Sequence, residues 1–157
     1  MYYEEYRCPY CGEMHAFQAE EPEEDLIDYG PRPVVIDIED MTDENTNFRT
    51  VIWTGPHLQL ALMSIGVGED IGIEMHPDVD QFIRLEQGQG EVRMGSSRDS
   101  LQERAMISEE QAVIVPAGTW HNITNTGNEP MKLYTIYAPP HHKANTVHRT
   151  KEEAFKE

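Results

Sequence analysis

Apolar residues in this chain come in short runs punctuated by glycine, proline and asparagine, at a spacing too tight for long helices. Val34-Val-Ile-Asp-Ile follows a Pro-Arg-Pro entry and reads as a strand, with Met41 to Asn47 a polar loop after it. Phe48 to Thr54 is a second strand, closed by Gly55-Pro56. Leu58, Leu60 and Leu62 alternate with Gln59, Ala61 and Met63, the period of a half-buried strand. Phe82 to Glu86 and Glu91 to Met94 flank Gly88-Gln89-Gly90, which predicts a hairpin. Ala112 to Val115 runs into Pro116, and Met131 to Ala138 reads as the last strand. Such closely spaced strands predict an all-β, antiparallel barrel or jelly roll. Near the end, Thr150 with Glu153 three residues on predicts an N-cap and one short helix over Lys151 to Lys156.

Two stretches between these strands carry metal-type donors. GEDIGIEMHPDVDQFIRLEQG, from Gly68 to Gly88, holds Glu74, His76 and Gln81. Side chains two apart on a strand share a face, so Glu74 and His76 point the same way. Pro77, Asp78 and Asp80 suggest a turn, after which Gln81 returns beside them. PAGTWHNITN, from Pro116 to Asn125, places His121 on another strand behind a Pro-x-Gly turn. Oxygen and imidazole donors converging from several strands are what a divalent ion requires.

The two stretches resemble the two motifs of the cupin superfamily. The first, G-x5-H-x-H-x4-E-x6-G, is met by Gly68, Glu74, His76, Gln81 and Gly88, with Glu for the first His and Gln for the Glu. The second, G-x5-P-x-G-x2-H-x3-N, is met by Pro116, Gly118, His121 and Asn125, with Glu110 where its first glycine belongs. The resemblance spans roughly residues 47 to 137. It implies an antiparallel double-stranded β-helix, the jelly-roll cupin barrel, here with an N-terminal extension and a short C-terminal helix. It also implies Glu74, His76, Gln81 and His121 as ligands of a divalent ion, and a homodimer. Compared with the common set of three His and one Glu, one carboxylate is kept and one imidazole becomes an amide oxygen. Harder donors favour Zn, Mn or Fe. The same donor types, in another order, serve the zinc-dependent phosphomannose isomerases of the superfamily. That similarity suggests isomerisation of a small polyhydroxy or sugar-phosphate-like substrate. A dioxygenase using Fe and O2, and a non-catalytic ligand-binding cupin, are the alternatives.

Length fits one domain, divided into an extension (1–30), a barrel (31–140) and a tail (141–157). In the extension, Cys8-Pro-Tyr-Cys11 resembles half of a zinc ribbon, with His15 as a third donor. The chain holds no further cysteine, so a weak or intermolecular zinc site, a redox pair and a plain extension all stay open. Ala19 to Asp28 is acidic and reads as a linker. A net charge of −17 argues against nucleic acid and anionic membranes as partners and reads as plain solubility; a small-molecule substrate is what the cupin resemblance implies. No apolar run reaches membrane-span length, and the first residues lack a signal-peptide pattern, so the cytoplasm is the expected location.

Other polar residues are placed by alternation. Arg84, three after Gln81, faces away from it, and Tyr134 and Tyr137 face opposite ways. Either tyrosine could line the cavity. Asn125 is expected to fix the turn after His121, and Trp120 to point into packing. His141, His142 and His148 read as exposed tail residues.

Overall fold

The computed structural model of the chain describes residues 2–7, 13–19 and 28–156. Cys8 and Cys11, with the zinc and redox readings they carry, lie outside the described residues, as does most of the acidic linker. In the extension, β1 (Tyr2–Arg7) and β2 (Met14–Ala19) pair antiparallel, Tyr2 opposite Ala19.

The barrel is built from β3 (Arg49–Thr54), β4 (Gln59–Ile65), β5 (Asp80–Gln87), β6 (Gln89–Gly95), β7 (Glu103–Ser108), β8 (Ala112–Val115), β9 (Trp120–Asn125), β10 (Met131–Ala138) and β11 (Val147–His148). A six-stranded sheet runs β11-β3-β4-β10-β5-β8 and a three-stranded sheet runs β7-β6-β9. Every pairing between these strands is antiparallel. Met63, Ile65, Ile83, Leu85, Val113 and Leu133 from the large sheet form one cluster with Val92, Ile107 and Ile123 from the small one. The core is therefore the space between the sheets, as in a jelly roll. A smaller cluster of Val51, Ala61, Val79 and Tyr137 continues that space toward the donor residues.

Four expectations need correction. Val34 to Ile38 is not a strand: the chain instead forms helix α1 (Ile38–Glu44), which also takes up most of the expected loop. Asp37 caps it by accepting from the Asp40 amide at 3.1 Å, and Glu39 and Asp40 favour the first turn. Here a capping aspartate outweighed the local β preference. Next, β5 and β6 do not make a hairpin. Gly88, at φ +91°, carries the chain from the large sheet into the small one, so the two strands pair with different neighbours. The strand β4, expected to be half-buried, is buried more fully: Gln59, Ala61, Met63 and Ile65 are buried toward the interior, while Leu58 is exposed. The opposite face is buried too at Leu62, on the side where α1 meets β4, β5 and β10.

Lastly, Met131–Ala138 is not the final strand. Beyond it β11 pairs with β3, Val147 opposite Thr50. The expected short helix is α2 (Lys151–Ala154), with Thr150 accepting from the Glu153 amide. Lys151 pairs with Asp70, and Phe155 lies so close over Gly72 that a Cβ there would meet its ring at 2.5 Å. The helix thereby packs against the segment that carries Glu74 and His76.

Candidate metal centre

Glu74 and His76 lie not within a long strand but on an extended segment that borders β9. Its bridges are isolated, Asp70 to Thr124 and Glu74 to His121. The Glu74 and His121 backbones exchange hydrogen bonds in both directions, at 3.0 and 2.9 Å, and Gly118 donates to the His76 carbonyl at 2.8 Å. The two motif stretches are thus paired residue to residue, which fixes their side chains relative to one another. Gly68, Gly88 and Gly118 all have positive φ, the left-handed backbone these turns require. Glu110, standing where the motif has glycine, adopts φ +67° as well. The turn has kept its shape without the residue that favours it.

Glu74 Oε1 lies 3.6 Å from His76 Nε2 and 3.4 Å from His121 Nε2. One donor atom from each of the three residues fits within 4.8 Å of the others, so the group could hold a metal ion. His121 is fully buried and its Nδ1–H donates to the Thr119 carbonyl at 3.0 Å, which fixes the ring with Nε2 on the Glu74 side. Gln81 is buried on β5 and its Nε2 donates to Thr135 Oγ1 at 2.9 Å. That bond sets which end of the amide faces away from Thr135: the carbonyl oxygen. Among the described residues, His76 Nε2, His121 Nε2 and Gln81 Oε1 are buried without a hydrogen-bond partner. Burial pushes the Glu74 carboxyl upward, but His121 and His76 outweigh it and hold the group well below the usual carboxylate range. It is an anion in the folded protein.

The interior beside these residues is polar. Tyr137 stands opposite both Gln59 on β4 and Gln81 on β5, and its ring lies 5.9 Å from that of His76. Burial raises its phenol above the ordinary value, Arg49 works against that, and Glu74 adds to it. Tyr134 is on the other face, against Phe82, as alternation requires. Arg84 also faces outward, paired with Glu86 at 3.1 Å. Asn125 fixes its turn by donating to the Ile65 and Glu129 carbonyls and accepting from the Gly127 amide. Trp120 is partly buried.

The tail histidines are placed differently from expectation. His141 does reach solvent, but its ring sits 4.1 Å from His76. His142 packs on Tyr137 at 5.1 Å, and His148 is buried beside Arg49. Gln59 holds this segment down, donating to the His142 carbonyl and accepting from the His141 and His142 amides. A glutamine among leucines and an arginine inside a β-rich run were the signals for Gln59 and Arg49. His141 and His142 follow directly from the end of β10.

Residues 61–137 match the family model described as the cupin domain. Along most of the chain there is also a relative, YrkC of Bacillus subtilis (strain 168), an uncharacterized protein that is 57% identical over 129 residues, 82% of this chain and 69% of YrkC. The chain belongs to the cupin family. A solved structure, BH2720 of Bacillus halodurans, superposes on this cupin with a TM-score of 0.83 at 55% identity, covering 84% of this chain and all of the other. Protein L612 of Acanthamoeba polyphaga mimivirus, also uncharacterized, is 43% identical over 72% of this chain and 69% of its own length. The cupin barrel expected from the motifs is the observed fold.

Proposed function

We propose that this cupin uses a divalent Zn, Mn or Fe ion, held by Glu74, His76, Gln81 and His121, to act on a small polyhydroxy or sugar-phosphate-like molecule. One observation carries the reading: three buried atoms, from His76, His121 and Gln81, have no well-formed hydrogen bond, and the two imidazole nitrogens stand 3.6 and 3.4 Å from the Glu74 carboxylate. A buried polar atom left unpaired costs about 1–3 kcal/mol. Three in one place are explained by a cation that uses their lone pairs. The donor types also match those of the phosphomannose isomerase cupins that the motifs resemble.

When bound, such an ion supplies Lewis-acid polarisation of a carbonyl oxygen. The chain's own residues do the rest. Glu74 keeps one negative charge at the site, Tyr137 offers a protonated phenol as donor, and the fully buried His121 excludes water from one side. His141, exposed and over His76, is the imidazole placed to exchange a proton with solvent. In an aldose–ketose isomerisation a proton leaves the carbon beside the carbonyl and one is returned to the former carbonyl carbon. A second proton passes between the two oxygens, and no oxidant is consumed.

Elemental analysis of protein purified without added metal tests the site. About one ion per chain is expected in the wild type and less than half in His76→Ala and His121→Ala. Wild-type metal content in both variants would refute the ligand assignment. Turnover then separates the chemistries, since oxygen uptake in place of sugar isomerisation would make this cupin a dioxygenase. We further propose a homodimer, on the strength of the family resemblance, for which sedimentation is the test.

A further inference from the structure

Arg49 is a buried charge that the metal centre does not explain. Only 4% of it is exposed. It lies two residues before Val51 on β3, and Val51 is paired with Ala61 on the face that continues to Tyr137. Its Nη1 lies 3.3 Å from His148 Nδ1, and its Cζ stands 5.4 Å from the Phe48 ring centre. Its Nε is buried with no hydrogen-bond partner, and among the described residues no carboxylate is within 4 Å of the guanidinium. Charges are seldom buried without a counter-charge, because desolvation is left uncompensated.

Two of the groups beside it, His142 and Tyr137, do not supply one. His142 is held down at about 3 by burial, with the Arg49 charge contributing, and so stays neutral. Tyr137 has its hydroxyl buried and without a well-formed hydrogen bond, with Arg49 and Thr135 beside it. Tyr137 is also the link to the metal centre, its ring being 5.9 Å from His76 on one side and 5.1 Å from His142 on the other.

We infer that Arg49 and Tyr137 receive the carboxylate of a small polyhydroxy acid whose other oxygens reach the donors around Glu74. The far end of that ligand rests on the metal reading; the carboxylate end does not. A carboxylate brings one charge and two oxygens to a planar guanidinium fork. A phosphate ester brings between about −1.5 and −2 and three oxygens, for which the Arg49 end of the interior has one cation and one planar fork. The other buried cation, Lys132, donates to the Asn45 carbonyl instead. Entry is from the side of His141, whose exposed ring must move from over His76.

The test uses the full chain as wild type, Arg49→Met and Arg49→Lys, with sodium D-gluconate, neutral D-glucitol and D-glucose 6-phosphate as calorimetric probes. Gluconate is expected to bind the wild type and to lose at least tenfold in Arg49→Met, with Arg49→Lys between them and metal content unchanged. Without ligand, Arg49→Met is expected to melt no lower than the wild type, because the unpaired charge is gone. Should Arg49→Met not fold, Arg49→Lys alone carries the comparison. No gluconate binding, equal gluconate affinity in wild type and variants, or glucitol or the phosphate ester binding as tightly, would overturn the inference. Failure of the metal reading would show separately, as wild-type protein without metal, and the gluconate difference is measured in EDTA as well to keep the two apart.

Discussion

Thr135→Val is the sharpest single perturbation of the metal centre, because Thr135 touches no ion in the proposed arrangement. Threonine and valine have nearly the same shape, so the change deletes one oxygen from a fully buried position on β10. That oxygen accepts from Gln81 Nε2 at 2.9 Å and is what turns the amide's carbonyl away from Thr135, the orientation that the proposed ligand set needs. Without it the buried NH2 has lost its partner, at a cost of about 1–3 kcal/mol in stability. The amide is also free to present nitrogen rather than oxygen. Partners that orient a ligand typically change metal affinity 10–100-fold, equivalent to about 1.4–2.7 kcal/mol. Competition titration against a chromophoric chelator measures this directly. Thr135→Ser, which keeps the hydroxyl, is expected to stay within threefold of the wild type. Equal metal affinity in Thr135→Val and the wild type would refute the assignment of the Gln81 oxygen as a ligand, even if stability fell as expected.

Two further outcomes concern the scaffold. Glu110 is exposed and holds φ +67°, a conformation that costs a non-glycine residue about 1 kcal/mol; Glu110→Gly is expected to recover much of that in chemical denaturation, and a loss of stability would refute the strain argument. His142 is held at about 3 by burial, whereas in the unfolded chain it takes up a proton near 6.5. Its contribution is therefore complete above about pH 6.5 and is lost as pH falls toward 3, at no more than about 1.4 kcal/mol per unit. Melting at pH 7.5 and 4.5 is expected to show a smaller acid loss in His142→Asn than in the wild type, and equal losses would refute the assignment.

That Glu74, His76 and His121 come together was readable in the sequence because most of their geometry is local. Glu74 and His76 are fixed by spacing before one turn, and His121 by a turn of its own. Only the pairing of Glu74 with His121 is long-range, and the second motif announces it. Arg49, Gln59 and His142 are the opposite case. They meet because β3, β4 and β10 are neighbours in the six-stranded sheet and Gln59 ties down the segment after β10, an order with no signature in any one stretch. The hairpin error has the same origin, since Gly88 looks alike whether it reverses the chain or passes it to another sheet. The helix over Ile38–Glu44 was hidden differently. Its capping aspartate sits inside a β-rich run, where the two signals compete and composition alone does not decide.

The charges of the interior and of the surface pull in opposite directions, and that has a measurable consequence. Inside, Glu74 and Arg49 cancel, so a divalent ion would leave an excess of two positive charges for a ligand to meet. The chain as a whole, with 29 acidic residues against 12 basic ones, carries a net charge of −17, most of it outside. An anionic ligand must cross a repulsive field to reach an attractive site. Surface charges are screened over about 8–10 Å at ordinary ionic strength, buried ones far less. Raising salt from about 20 to 150 mM, where the screening length falls markedly, is therefore expected to speed gluconate association in stopped-flow measurements while leaving dissociation nearly unchanged. A chloride control, exchanged for a bulkier anion, separates screening from competition at Arg49. Association slowed by salt would mean that the approach to the site is positively charged, and the entry by way of His141 would have to be given up.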